Sequence, residues 1–450
     1  MYLVAAGKDP TLILACTQHL RNPDLVATVN SASYTETDIN EFSLGSRFNP
    51  PESLPVSETF LQGALIDPSY RPETFTHPDY EPEAFFSHMV GFGSDFRKEL
   101  QRIIDGGRKV VLNTYFNSVE SQKLRKFGFV LTGPDSDLVV EYAKKTNGYR
   151  LAQKLGIPVP FGTIVNSLEE AIKQHDRVSG DHDSVFISSE LGSGGRSALH
   201  VSDVESIRSF EAIPPYLMTR WLDKVASPNS LVLVGNNRLI YVGLTDQIIK
   251  RDVVYYGNSF PSQTSEEVQE KIKKYSIMLA KEMWSNGYRG FVGYDWMVDK
   301  EDAVYFSEIN PRKNRSSSML ISYLESHRDQ DTPSLTELEI KTAIGEDIQE
   351  TPVWNYPNLR WAMQLYKTHG RGIITRDIKP QYDDISIFRP DGGPNKVSVL
   401  NFPRAGTRLA PFLKMHELAR VIVVSDDEQS VEREIDSARA QIRESYEKLE

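Results

Sequence analysis

Apolar positions along the chain fall into strand-length runs and longer helical stripes that alternate from the N-terminus onward. Residues 2–6 and 25–29 read as strands, 96–105 as a helix, 109–112 as a strand and 118–127 as a helix. Strands alternating with helices predict a parallel α/β sheet in residues 1–135. Residues 50–82 interrupt that pattern. Prolines at 50, 51, 55, 68, 72, 78 and 82 stand there among Asp, Ser and Thr, which suits a surface excursion or lid better than regular structure.

Gly133-Pro134-Asp135-Ser136-Asp137 marks a boundary, and its acidic and hydroxyl residues suit the cap of a helix starting near Leu138. A helix over 149–155 stops at Gly156, ahead of Ile157-Pro158-Val159-Pro160. A short helix over 167–175, a strand over 184–188 and a Gly-rich turn over 191–197 follow. Runs at 216–222, 231–234 and 239–244 are β-like, the last two joined by the hairpin turn Gly235-Asn236-Asn237-Arg238. Over 264–286, Val268, Ile272, Tyr275, Leu279 and Met283 recur at three and four, one face of a long helix, with Thr264 and Glu267 at capping-box spacing. Strands over 290–298 and 303–309 pair across Asp299-Lys300-Glu301-Asp302. Residues 336–450 mix strands with a charged terminal helix over 428–449. The organisation expected is three domains: 1–135, 136–335 and 336–450.

Composition narrows the class. The 450 residues carry 51 Lys+Arg against 62 Asp+Glu, a net charge of −11, which argues against a nucleic-acid-coating surface but leaves room for a few phosphate-binding groups. Cys16 is the one cysteine, so no internal disulfide forms; within Leu12-Ile13-Leu14-Ala15-Cys16 it reads as a small buried hydrophobe. The N-terminus lacks the basic flank and long apolar core of a signal peptide, and no run approaches the roughly 20 apolar residues of a membrane helix. A cytoplasmic protein without nucleic-acid or membrane partners is expected. The sequence holds no GxxxxGK[ST], HExxH or GxSxG pattern and no Cys/His cluster.

The chemistry concentrates in Gly293-Tyr294-Asp295-Trp296-Met297-Val298 and Val304-Tyr305-Phe306-Ser307-Glu308-Ile309-Asn310-Pro311-Arg312. Asp295 and Glu308 face one another if these are neighbouring antiparallel strands. Asn310, two residues beyond Glu308, shares its face. Three converging oxygen-bearing side chains suit Mg²⁺, which shares its remaining positions with water and phosphate. A bridged pair of ions would neutralise the phosphates during transfer, and Arg312 just beyond would grip an anion. Leu191-Gly192-Ser193-Gly194-Gly195-Arg196-Ser197 after a strand offers backbone N–H groups to phosphate. Taken alone, the acids also fit a plain surface hairpin, and the glycines an ordinary loop.

In this order the elements resemble the ATP-grasp superfamily, which includes D-alanine–D-alanine ligase, biotin carboxylase and many carboxylate–amine ligases. Lys145 stands eleven residues before Gly156, the spacing of the family's first nucleotide lysine, with Lys144 the fallback. The thirteen-residue separation of Asp295 and Glu308, the Glu308-Ile309-Asn310 run and Arg312 also match. The resemblance covers about 136–335. It implies an α/β (α+β ATP-grasp) fold with a Rossmann-like front domain, a two-lobed centre and a C-terminal α/β subdomain. It implies ATP and two Mg²⁺, with Mn²⁺ an alternative, and an ADP-forming ligase that activates a carboxylate as an acyl phosphate and joins it to an amine. Lys145 and the Gly192, Ser193, Gly194, Gly195, Arg196 backbone would hold phosphates. Asp295, Glu308 and Asn310 would hold magnesium, and Arg312 and Arg315 would serve catalysis. Two positions depart from the family. Ser188 stands where a second lysine is usual, and Thr219 stands where a hinge glutamate is usual. Backbone groups near Thr219, Arg220 and Trp221 would still meet adenine. An amino acid or peptide is the expected substrate class, and homodimerisation through 336–450 is one open arrangement. A non-catalytic nucleotide-binding protein, a biotin-carboxylase-like enzyme and a kinase are the rivals.

Overall fold

The computed structural model describes residues 2–7, 26–30 and, apart from short breaks, 101–449; the longer breaks are 193–196, 379–395, 401–404 and 410–415. Cys16 and the 50–82 excursion lie outside the described residues. Two compact units emerge, one from Met1–Ser136, Gly235–Arg238 and Ser317–Glu450, the other from Asp137–Val234 and Leu239–Ser316.

At the front, β1 (Tyr2–Gly7), β2 (Val26–Asn30), β3 (Val110–Thr114) and β4 (Val130–Leu131) lie in the order β2-β1-β3-β4. All the pairings are parallel, with Leu3 opposite both Val26 and Val111. This is the sheet that strand–helix alternation predicts. Between β3 and β4, α1 (Val119–Lys123) tightens into a 3₁₀ turn over Leu124–Phe127, ended by left-handed Gly128.

The second unit holds two lobes. In the first, α2 (Ser136–Ala143) and α3 (Lys145–Lys154) lead into β5 (Gly162–Val165), α4 (Leu168–Ser179), β6 (Val185–Ser189), β7 (Ala198–Val201), α5 (Val204–Arg208) and β8 (Tyr216–Arg220). The strands are antiparallel in the order β5-β8-β6-β7. One face buries Val185, Ile187, Val201 and Met218 against Ala171, Val178 and Ile207 of the helices. The Ser167 side chain caps α4 by accepting from the Glu170 N–H.

In the second lobe, β9 (Lys224–Ala226), β10 (Pro228–Val234), β11 (Leu239–Lys250), β12 (Val254–Phe260), α6 (Glu266–Ser285), β13 (Gly290–Asp299) and β14 (Val304–Asn310) form an antiparallel sheet. Its order is β14-β13-β10-β11-β12, with β9 beside β13. Helix α6 lies on one face, where Val268, Ile272, Leu279 and Met283 pack with Val232, Tyr294, Trp296, Phe306 and Ile309. Ser230 meets Ser276 of that helix and accepts from Trp296 Nε1, so the polar atoms in this apolar layer are paired. The cap of α6 is Ser265, one residue beyond the expected Thr264, and it accepts from Val268 N–H. Helix α3 begins at Lys145, four residues ahead of expectation. Asn147-Gly148 reads as a breaker, yet Gly148 is where the helix touches β14, at 3.3 Å from the Phe306 ring for an added Cβ. Tertiary packing overrides its low propensity.

Beyond the second lobe, α7 (Arg315–Ser326) and α8 (Leu335–Ala343) precede β15 (Arg360–Thr368), β16 (Arg371–Ile374), β17 (Lys396–Leu400), β18 (Arg408–Leu409), β19 (His416–Ser425), α9 (Glu428–Glu444) and β20 (Tyr446–Leu449). Strands β15, β19 and β17 are antiparallel neighbours, and α9 buries Val431, Ile435, Ala438 and Ile442 with them. The terminal helix stops at Glu444, short of the expected 449, because Tyr446–Leu449 pairs with β16. Glu325 and Arg328 form an ion pair at 2.9 Å with both side chains at most 1% exposed. The Leu335 N–H donates to the same carboxylate at 2.8 Å. No described helix is long and apolar enough to cross a membrane.

Candidate active site

The face of the second-lobe sheet opposite α6 carries the acids. Near the hairpin tip Val298 faces Val304 and Trp296 faces Phe306; on that register Asp295 would face Ser307. Ser307 of β14 is passed over as a bulge between the Trp296–Phe306 and Asp295–Glu308 pairs, the register shifts by one, and Asp295 faces Glu308. An extra residue that re-aims a side chain is a frequent device beside functional groups. Because of the shift, Phe306 and Ile309 both point into the α6 core, while Glu308 and Asn310 share the Asp295 face.

Asn310 Nδ2 donates to Asp295 Oδ2 at 3.2 Å and to Glu308 Oε1 at 3.5 Å. Arg312 Nη2 donates to Asn310 Oδ1 at 3.1 Å. Lys145, the first residue of α3, places Nζ 3.2 Å from Glu308 Oε2 and 3.0 Å from the Gly192 carbonyl. One cation thus joins the acid pair to the start of the glycine loop. Burial and the neighbouring Glu308 charge push Asp295 up to about 7. Burial also works to raise Glu308, but Lys145, the hydrogen bond with Asp295 and Arg312 outweigh it and hold Glu308 below its usual range. Two facing carboxylates served by one lysine form a focus of negative charge that a second cation would relieve.

The donor set fits a hard divalent ion such as Mg²⁺: two carboxylates and one amide, all capable of presenting oxygen. Asn310 turns its nitrogen toward both acids. Rotating the amide by half a turn would present Oδ1 to the ion and release Arg312, an exchange between two atoms of similar shape. Among the described residues no group of three or more His, Cys, Asp or Glu is arranged to hold a metal, so a cation here relies on Asn310 and on oxygens brought by a ligand.

A second layer escaped the sequence reading. Asn229 on β10 lies opposite Asp295 and donates Nδ2 to its Oδ1. Its own Oδ1 accepts from Asn314 Nδ2 at 2.8 Å and Ser316 Oγ at 3.0 Å. Asn229, Asn314 and Ser316 are all buried. In Ser227-Pro228-Asn229-Ser230 the asparagine reads as a turn residue; the available signal was its strand phase, two residues ahead of Leu231.

Ser188 on β6 is buried, and its Oγ has no hydrogen-bond partner. Its β8 neighbour across the ladder is Leu217, and Thr219 faces Phe186. Arg220 is turned away from this ladder: its guanidinium lies 5.5 Å from the Phe161 ring centre and Nε donates to the Val178 carbonyl at 3.5 Å, near the end of α4. Trp221 stacks on His200 at 3.6 Å between ring centres, and its Nε1 donates to Asp223 at 2.9 Å. Gly192 has φ +152, and an added Cβ there would overlap Ser197 Oγ. Ser193, Gly194, Gly195, Arg196 and the Arg315 side chain lie outside the described residues.

Residues 142–316 match the family model of the ATP-grasp domain. The carbamoyl phosphate synthase large chain of Thermus thermophilus is 25% identical over 242 residues, covering 51% of this chain and 22% of that protein. Pyruvate carboxylase of Pichia angusta is 28% identical over 211 residues, covering 44% of this chain and 17% of that protein. The matched region thus spans about a fifth of the length of these curated relatives. The biotin carboxylase domain of Hydrogenobacter thermophilus 2-oxoglutarate carboxylase was solved as a dimer with MgADP, ADP and bicarbonate. It has a similar fold, with a TM-score of 0.63 at 15% identity over 99% of this chain and 90% of that one.

Proposed function

From the premise that residues 142–316 are an ATP-grasp domain, we propose that the protein is an ADP-forming ligase that joins a carboxylate to an amine. In this reading 136–335 is the catalytic domain, flanked by 1–135 and 336–450. The observation that carries it is the single sheet face on which Asp295, Glu308, Asn310 and Lys145 converge, with Arg312 hydrogen-bonded at its edge. Bound there, Mg²⁺ supplies charge neutralisation at the phosphates of ATP. Lys145 holds phosphate oxygens as a point charge, and the Gly192 loop adds backbone N–H groups. A substrate carboxylate oxygen attacks the γ-phosphorus, the bond to the bridging oxygen breaks and ADP leaves. The amine nitrogen then attacks the acyl carbon and phosphate departs. Arg312 stabilises the anionic intermediate electrostatically, and no side-chain nucleophile is required.

An amino acid or short peptide is the substrate class of this proposal. A second reading takes bicarbonate as the carboxylate, favoured by the structurally similar biotin carboxylase domain solved with bicarbonate. ADP release measured against pooled amino acids, with a separate bicarbonate arm, tests both. Release stimulated by the amino-acid pool supports the first, release stimulated by bicarbonate alone supports the second, and AMP formation or no turnover in any arm overturns the ligase reading. A homodimer is also proposed, since the structurally similar biotin carboxylase domain was solved as one; sedimentation velocity tests it.

A further inference from the structure

We propose that Asn229 is the positioning residue of the acid pair: it fixes the Asp295 carboxylate through Nδ2 while Asn314 and Ser316 fix Asn229 through Oδ1. This rests on the reading of Asp295 as a metal ligand. An ionised carboxylate is acceptor-only, so the group beside Asp295 Oδ1 must donate. Asn314 Nδ2 points at the other end of Asn229, which must therefore accept, and the single Ser316 hydroxyl hydrogen is shared between Asn229 Oδ1 at 3.0 Å and Asn314 Oδ1. Of the ordinary side chains of this size, the amide alone meets both demands. The hydroxyl of Ser316 also lies 2.8 Å from Asn314 Oδ1, which closes a triangle of three buried polar side chains.

The backbone makes room for this triangle. A Cβ on Gly293 would sit 2.5 Å from Asn314 Nδ2 and 3.6 Å from the Asn310 Cβ. Gly293 is the residue of β13 that faces Asn310, and its bare backbone is where Asn314 enters. On the open side, Asp295 Oδ1 is held by Asn229 and Oδ2 by Asn310. With Asn229 on Oδ1 and the Asn310 amide turned to present its oxygen, lone pairs of the Asp295 carboxylate are left for a cation. The aim of the carboxylate is set by the buried Asn229, Asn314 and Ser316 side chains on the same face, so it meets a cation without losing rotamer freedom at that moment.

The test is direct binding of Mn²⁺ alone to the full chain, read from the free-ion electron paramagnetic resonance signal, with thermal melts on every variant. Asn229→Asp keeps the volume and the acceptor but loses the donor; Asn229→Ala loses both. Gly293→Ala displaces Asn314 with Asn229 intact. Each is expected to weaken Mn²⁺ binding by about 10-fold or more, the usual effect of removing a partner that holds a ligand, with Asp295→Asn as the benchmark. Wild-type Mn²⁺ affinity in folded Asn229→Asp, beside a weakened Asp295→Asn, overturns the positioning role and spares the metal reading. Wild-type affinity in Asp295→Asn overturns the metal reading and this inference with it. If Asn229→Asp does not fold, Gly293→Ala decides by the same criterion.

Discussion

At the scale of the residue, the site is a problem of unequal charges. Glu308 has Lys145 and Arg312 to hold it ionised, whereas Asp295 has two amides and a like-charged neighbour. Glu308→Gln removes the repulsion at little cost to the fold, so the melting temperature should be unchanged or higher. The same change removes a proposed cation ligand, and ADP formation should fall on the order of 100-fold or more. A variant that melts like wild type and turns over like wild type would remove Glu308 from the chemistry. Ser188 makes the opposite case. Its hydroxyl is buried without a partner, and such groups cost free energy. Ser188→Ala should therefore leave stability unchanged or raise it by up to about 1 kcal/mol in urea unfolding; a loss of nucleotide affinity in that variant would assign the hydroxyl to the ligand. The acids were legible because residue type and strand alternation alone bring Glu308 and Asn310 to one face. Asn229 was not, because an amide after proline carries no mark of the carboxylate it will meet from a strand 66 residues away.

Elements show where local pattern stops informing. The stripe over α6 was readable because it is amphipathic by itself: Val268, Ile272, Leu279 and Met283 are buried as expected, while Tyr275 is only half-buried and Ser276 and Ala280 join the buried face. Helix α3 hid its first turn because Gly148 serves a partner, Phe306, that lies far along the chain. Strand β20 hid inside a helical pattern for the same reason: β16 pulls Tyr446–Leu449 into pairing. The bulge in β14 was invisible too, since it depends on how two strands pair and not on either alone. Gly148 ties this scale to the site, because α3 carries Lys145 on its first turn. Gly148→Val drives a branched side chain into the Phe306 ring and lifts α3 from β14. Overpacking of this kind costs about 1–3 kcal/mol, and Lys145 should shift from Glu308 with it. Both a lower urea midpoint and a weaker affinity for ADP are expected; a stability loss with unchanged affinity would mean that Lys145 does not depend on the seating of α3.

For the molecule as a whole, an excess of acid invites the question of which carboxylates pH acts on. Most of those among the described residues are exposed and pull little. Glu325 is different, for burial outweighs the Arg328 partner and the Leu335 N–H and pushes it up to about 7. The unfolded chain binds that proton with the ordinary value of 4.5. A folded state that holds its proton more tightly is favoured where the proton is available. The contribution is therefore full below 4.5 and is lost as pH rises to 7. A displacement from 4.5 to about 7 corresponds to about 3 kcal/mol, since one unit is about 1.4 kcal/mol. Many other groups titrate in the same window, so the informative quantity is the difference between wild type and Glu325→Gln, which has no proton to lose. Glutamine leaves Arg328 buried with a weaker partner, a cost that does not vary over this range. The stability of the variant relative to wild type should thus climb by up to about 3 kcal/mol between pH 4.5 and 8 in urea titrations. A flat difference would mean that Arg328 keeps Glu325 ionised throughout, and that the buried pair is a permanent ion pair and not a proton store.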